Sequence, residues 1–183
     1  MANRTNGQRG KPRSYEIYLM RHGIAADRDP AGTSDDSKRP LTVEGKLKLR
    51  DIARGLDRMG VTWDWVITSP LKRAVETADA LVSELGEGKD APRDITEHLD
   101  PGAGSAQKVY SLLGQHPDRT SVLLVGHMPS LAGLASEMLG AGPEAGFEFK
   151  KGGCCLIRFE EFPTSPGSLC WWLTPRILRK IGS

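Results

Sequence analysis

Residues 122–130 read VLLVGHMPS, and more of the fold follows from this stretch than from any other. Val122 to Val125 is a continuous apolar run, too short for a helix and lacking the alternation of a strand with one wet face. It predicts a strand in the middle of a sheet covered on both sides. Leu131, Leu134, Ala135, Met138 and Leu139 follow at helical spacing, so a buried strand, a loop carrying Gly126 and His127, and a helix succeed one another.

The same unit recurs on the N-terminal side. Tyr15 to Met20 (YEIYLM) is a β-rich run that delivers Arg21, His22 and Gly23. Residues 24–41 are polar and aperiodic, which predicts a long loop of the sort that is often functional. Thr42 is a candidate N-cap with Glu44 behind it, and Leu49, Ile52, Ala53 and Leu56 then keep helical spacing to Gly60. Trp65 to Thr68 predicts a second strand. Ser69 and Pro70 are expected to act as N-cap and first helical residue of a helix whose apolar stripe runs from Leu71 to Leu85, with Gly86 ending it. A short extended piece lies around Ile95, and a Pro/Gly-rich loop follows at 100–104. Ser105 caps a helix carrying Val109, Leu112 and Leu113. Cys154 to Phe159 and Leu169 to Leu173 read as a closing hairpin, with a short helix over Pro175 to Ile181. Strands alternating with helices predict an α/β fold, a three-layer α/β/α sandwich on a mostly parallel sheet, in one domain over residues 15–183.

In such sheets ligands bind at the carboxyl ends of the strands, beside helix N-termini. Arg21, His22 and Gly23 follow the first strand, Ser69, Pro70 and Arg73 the second, and Gly126 and His127 the central one. Two guanidiniums, two imidazoles and free N–H groups at two helix starts make a receptor for a tetrahedral dianion. Imidazole is a nucleophile near neutrality, and Arg21 and Arg73 are expected to disfavour its protonated form.

With these residues in place, LMRHG at 19–23, SPLKRAVETA at 69–78 and VGHMPS at 125–130 resemble, in order and placement, the three signatures of the histidine phosphatase superfamily, whose fold is phosphoglycerate mutase-like. The short chain, RPLTVEG at 39–45 and WLTP at 172–175 are similar to its SixA-type phosphohistidine phosphatase branch. The resemblance spans about residues 15–178. It implies that His22 is the phosphorylated nucleophile, that Arg21 and Arg73 bind phosphate, that His127 is the second histidine, and that Arg39 is a substrate-binding basic residue near the pocket mouth. Larger members of the superfamily carry a general acid on an inserted helical region, which the segment between Gly86 and Ser105 is too short to contain. Glu97, His98, Asp27 and Asp36 are the candidate acids. An alkoxide leaving group needs a proton, whereas a protonated phosphohistidine ring leaves readily, so a weak acid favours a P–N substrate.

Composition narrows the classes. At 183 residues, with 38% hydrophobic and 26% charged, the chain suits one globular domain. No apolar run approaches the ~20 residues of a membrane span. The net charge of +2 suggests an affinity for nucleic acid until it is divided. Residues 1–14 hold Arg4, Arg9, Lys11 and Arg13 and no acid, so the rest of the chain is net −2. That head has no secretory apolar region and is expected to be disordered. Cys154, Cys155 and Cys170 are an odd set without a C-x-x-C pair, expected to pack as small hydrophobes in a reducing, cytoplasmic setting. The four histidines lack ligand spacing, so neither a metal nor another cofactor is expected. His98 and His116 read as surface residues, Trp171 and Trp172 as strand packing with one ring on each face, and Gly152 and Gly153 as a bend.

The expected activity is therefore a metal-independent phosphatase with a phospho-His22 intermediate, acting on phosphohistidine in a signalling protein such as a phosphotransfer domain. The alternatives are a small-molecule phosphomonoesterase on the same site and a non-catalytic phosphate-binding module. The expected partner is a phosphorylated protein or a small phosphoester, with no nucleic acid and no membrane.

Overall fold

The computed structural model describes residues 14–32, 35–85, 90–102, 105–142, 145–160 and 166–183. Residues 1–13 of the basic head, Gly86, and Ala103 and Gly104 of the Pro/Gly-rich loop lie outside the described residues.

Six strands form one sheet: β1 (Tyr15–Arg21), β2 (Trp65–Thr68), β3 (Arg93–Ile95), β4 (Ser121–Gly126), β5 (Cys154–Phe159) and β6 (Ser168–Leu173), in the order β3-β2-β4-β1-β5-β6. The first four strands pair in parallel, and β5 and β6 add an antiparallel edge. The central place of β4 explains its unbroken apolar run, since both of its faces are covered. Leu123 and Val125 pack with Tyr18, Met20, Val66 and Leu156 under α1 (Val43–Arg58), α2 (Lys72–Glu84) and α5 (Pro175–Gly182). Val122 and Leu124 pack on the other face with Ile17, Leu19, Ile67 and Ile157 under α3 (Ala106–Gly114) and α4 (Ser130–Met138). The three-layer α/β/α architecture follows from that alternation. Trp171 and Trp172 divide in the same way, Trp171 against Tyr18 and Trp172 stacked on Phe147.

Local chemistry places most element ends. Thr42 Oγ1 accepts from the Gly45 N–H at 2.9 Å, and Ser105 Oγ from the Lys108 N–H at 3.4 Å, both as N-caps. Gly45 is required for a different reason, because a Cβ there would run into the Ile24 carbonyl.

Three expectations are corrected and one is sharpened. Ser69 and Pro70 are not the N-cap and first residue of α2, which begins at Lys72 behind Leu71 with no side-chain cap; the Ser69 Oγ lies against His127 and accepts the Leu71 N–H, one residue ahead of the helix. The 24–41 segment is not without structure: Ala25 bridges Leu41, and a 3-10 turn at Asp36–Lys38 is capped by Asp35. The extended piece expected around Ile95 is found as the edge strand β3, and a second 3-10 turn follows at Glu97–Leu99. Cys154 and Cys155 are buried, one in each core, but Cys170 is exposed on the edge strand β6, where no layer covers it; all three are free thiols.

Candidate active site

β1, β2 and β4 end level, with Arg21 beside Gly126 and both Met20 and Thr68 beside Val125. The three segments singled out in the sequence leave the sheet here and come together. Arg21, His22, Arg73, His127 and Arg39 all line one cavity of about 340 Å³, with Asp27, Arg28, Pro101, Met128 and Lys151. A larger cleft of about 640 Å³ shares Asp27, Arg28 and Arg39 with it and otherwise follows the 26–40 loop. The smaller cavity holds the imidazoles and is the candidate site.

His22 is buried, and its main-chain N–H extends the ladder onto the Gly126 carbonyl at 3.1 Å. Its ring Nδ1–H donates to the Gly23 carbonyl oxygen at 2.7 Å. A carbonyl can only accept, so Nε2 carries the lone pair. The loop is held from several sides. The Gly23 N–H donates to Thr77 Oγ1 at 3.0 Å, and the Gly152 N–H reaches the carbonyls of Arg21 and His22 at 3.0 and 3.2 Å. Gly152 sits at φ +80°, a conformation that favours glycine, so what reads in sequence as a bend is a clamp on the histidine loop.

The guanidiniums are each anchored at one end. Arg21 Nη1 donates to the Phe149 carbonyl at 2.7 Å; Arg73 Nη1 donates to the Asp36 carbonyl at 3.0 Å, and its Nη2 lies 3.2 Å from an Asp36 carboxylate oxygen. The Nε of both is buried without a hydrogen-bond partner among the described residues, leaving donors for an incoming anion. Arg39 donates to the Ala26 carbonyl at 2.8 Å and to Asp36 at 3.0 Å, which holds it at the rim.

The two imidazoles face each other with ring centroids 4.9 Å apart. Burial lowers the His22 pKa to about 4, with Arg73, Arg21 and Lys151 pushing the same way and the Gly23 hydrogen bond opposing them. His127 falls to about 3, chiefly by burial and then through His22, Arg73 and Arg21. The arginines thus act in the expected direction, but desolvation is the larger cause.

The candidate acids separate. Burial pushes Asp36 up, yet Arg73, Arg39 and Arg28 together hold it below the ordinary carboxylate range, so it is an ionised partner of those arginines and not a proton donor near neutrality. Glu97 and His98 belong to the 3-10 turn and do not line the cavity; Asp27 does. Sequence reading did not find Thr77, Gly152, Lys151 or the Ser69–His127 hydrogen bond, all of which are contacts between distant segments. Among the described residues no group of three or more His, Cys, Asp or Glu side chains is arranged to hold a metal ion, and no helix is long and apolar enough to cross a membrane.

Comparison with known proteins agrees with this geometry. The histidine phosphatase superfamily (branch 1) matches residues 17–101. An uncharacterized protein of Picosynechococcus sp. is 33% identical over 144 residues, covering 78% of this chain and 84% of its own length. Phosphohistidine phosphatase SixA of Escherichia coli is 29% identical over 126 residues, covering 67% of this chain and 73% of its own. A structure of the protein histidine phosphatase SixA complexed with tungstate resembles the fold with a TM-score of 0.76 at 26% identity, over 89% of this chain and 99% of that one. Sequence match, fold similarity and the paired imidazoles between arginines converge: the chain belongs to branch 1 of the histidine phosphatase superfamily and is a SixA-like phosphatase of it.

Proposed function

We propose that the protein hydrolyses phosphohistidine on a partner protein through a phospho-His22 intermediate, without a metal ion. The observation that carries this reading is the Nδ1–H of His22 on the Gly23 carbonyl. His22 Nε2 attacks phosphorus in line and the bond to the leaving group breaks. Arg21, Arg73 and His127 bind the equatorial oxygens and Arg39 serves the rim, a task of positioning and electrostatics. The phosphorylated His22 ring, still carrying its Nδ1 proton, is cationic. Water then attacks phosphorus, the P–N electrons return to Nε2, and His22 leaves as neutral imidazole with no proton needed from elsewhere.

A phosphohistidine substrate protonated on its second nitrogen leaves in the same way in the first step. Such a site therefore needs no strong acid, which agrees with a cavity lined by five cationic side chains and one exposed carboxylate, Asp27. SixA of E. coli, to which the chain is similar, is named a phosphohistidine phosphatase.

The test is acid-quenched trapping with 32P-labelled phosphohistidine protein, in which acid-labile, base-stable label is expected on the chain and is lost in His22→Ala together with turnover. Tight phosphate binding without label would point to a binding module. A kcat/KM preference for simple phosphomonoesters by more than ~10-fold, about 1.4 kcal/mol of transition-state stabilisation, would overturn the substrate assignment.

A further inference from the structure

Ser69 is fully buried at the end of β2, and its Oγ lies 2.7 Å from Nε2 of His127, itself 2% exposed. The Leu71 N–H donates to the same Oγ at 3.2 Å. On the other side of the imidazole, Nδ1 is buried and has no hydrogen-bond partner among the described residues.

Counting donors and acceptors decides between two arrangements. If Nε2 carried the proton, it and the Leu71 N–H would both donate to Oγ. The Ser69 hydroxyl proton would then have no acceptor among the described residues, and the Nδ1 lone pair would also be unmet. If instead the Ser69 hydroxyl donates to Nε2, its oxygen still accepts from Leu71, and one group is left over, the Nδ1–H. Buried polar groups are costly to leave unpaired, so the second arrangement is favoured.

We propose that Ser69 is a positioning residue that fixes the tautomer of His127, donating its hydroxyl proton to Nε2 so that Nδ1–H is presented as a donor to an oxygen of the transferring phosphoryl group. The role complements that of His22, whose Gly23 contact selects the same proton position and leaves Nε2 as nucleophile. Two neighbouring imidazoles in the same tautomer thus do opposite work, because the partner of His22 accepts a proton bond and the partner of His127 donates one. Burial keeps the His127 ring neutral, so it serves through its N–H and not as a cation. The inference rests on the cavity being the phosphoryl site, but the tautomer itself is a property of the free protein.

That independence makes the test clean. Long-range 1H–15N correlation spectra of the 15N-histidine-labelled full chain at neutral pH, without phosphate, are expected to show His127 Nδ1 as pyrrole-type and Nε2 as pyridine-type. In Ser69→Ala the His127 signals move toward the other tautomer, and kcat falls about 10- to 100-fold, no more than deleting one preorganised donor outright, with KM changing far less. A pyrrole-type Nε2 in the wild-type chain would overturn the proposal even if the variant folds poorly. So would a Ser69→Ala protein with unchanged His127 shifts. Full activity in His22→Ala would instead sink the phospho-His22 reading and leave the tautomer result standing.

Discussion

The hydroxyl of Thr77 ties the loop that carries His22 to the helix that carries Arg73: it accepts the Gly23 N–H at 3.0 Å and donates to the Arg73 carbonyl at 2.6 Å. Thr77 is fully buried, so neither group has solvent as a substitute. Replacing Thr77 by valine keeps the shape and removes the oxygen. An unpaired buried N–H costs roughly 1–3 kcal/mol, so Thr77→Val is expected to lose that much in urea unfolding. Because Gly23 also supplies the carbonyl that orients the His22 ring, kcat should fall about 10-fold, on the order of 1.4 kcal/mol. A destabilised variant with unaltered kcat would show that the link is structural only, and a variant unchanged in both would refute the role given to Thr77.

Stability should depend on pH in a defined window. His22 and His127 have folded pKa values near 4 and 3, below the ~6.5 of an unfolded histidine. The unfolded chain therefore binds more protons between those values, and stability rises with pH there. The two rings contribute stability that is fully present above about 6.5 and is lost as pH falls through about 4 toward 3. Urea titrations from about pH 3.5 to about pH 7.5, spanning most of that window, should show this slope, and a His22→Asn, His127→Asn double variant should be flatter. Equal slopes would refute the burial argument.

Substitution of Asp27 is expected to discriminate between substrate classes. It is the one candidate acid that lines the cavity. If the physiological leaving group is an imidazole, Asp27→Asn should change kcat on a phosphohistidine protein by less than ~3-fold, while hydrolysis of an alkyl phosphate falls by the ~10²-fold that general acid catalysis commonly supplies. An equally large loss on the P–N substrate would mean that proton donation matters there too.

Charge in the cavity is supplied by Arg21, Arg73, Arg28, Arg39 and Lys151. In the proposed reaction those cations do the electrostatic work that a divalent ion does elsewhere. Turnover should therefore survive dialysis against excess chelator with kcat within about 2-fold of the untreated protein, read on the phosphohistidine substrate. Loss of activity restored by one specific divalent ion would contradict the proposed chemistry.

Much of this molecule was legible in one dimension because the relevant physics is local. The apolar run at Val122–Val125, the helical spacing from Leu71 to Leu85, and the caps at Thr42 and Ser105 are set by neighbours a few residues away. Together they specify an α/β sandwich and the ends at which Arg21, His22, Arg73 and His127 emerge. The remainder depends on packing between segments far apart in the chain. Strand order sets β4 between β1 and β2 and so brings the ring centroids of His22 and His127 to 4.9 Å. Gly152 grips the His22 loop from a distant part of the sequence, and Asp36 reaches three arginines from a loop without periodicity. Ser69 has the composition of a helix cap, but a buried hydroxyl bonds to whatever the packed sheet brings within reach, and here that is the ring of His127.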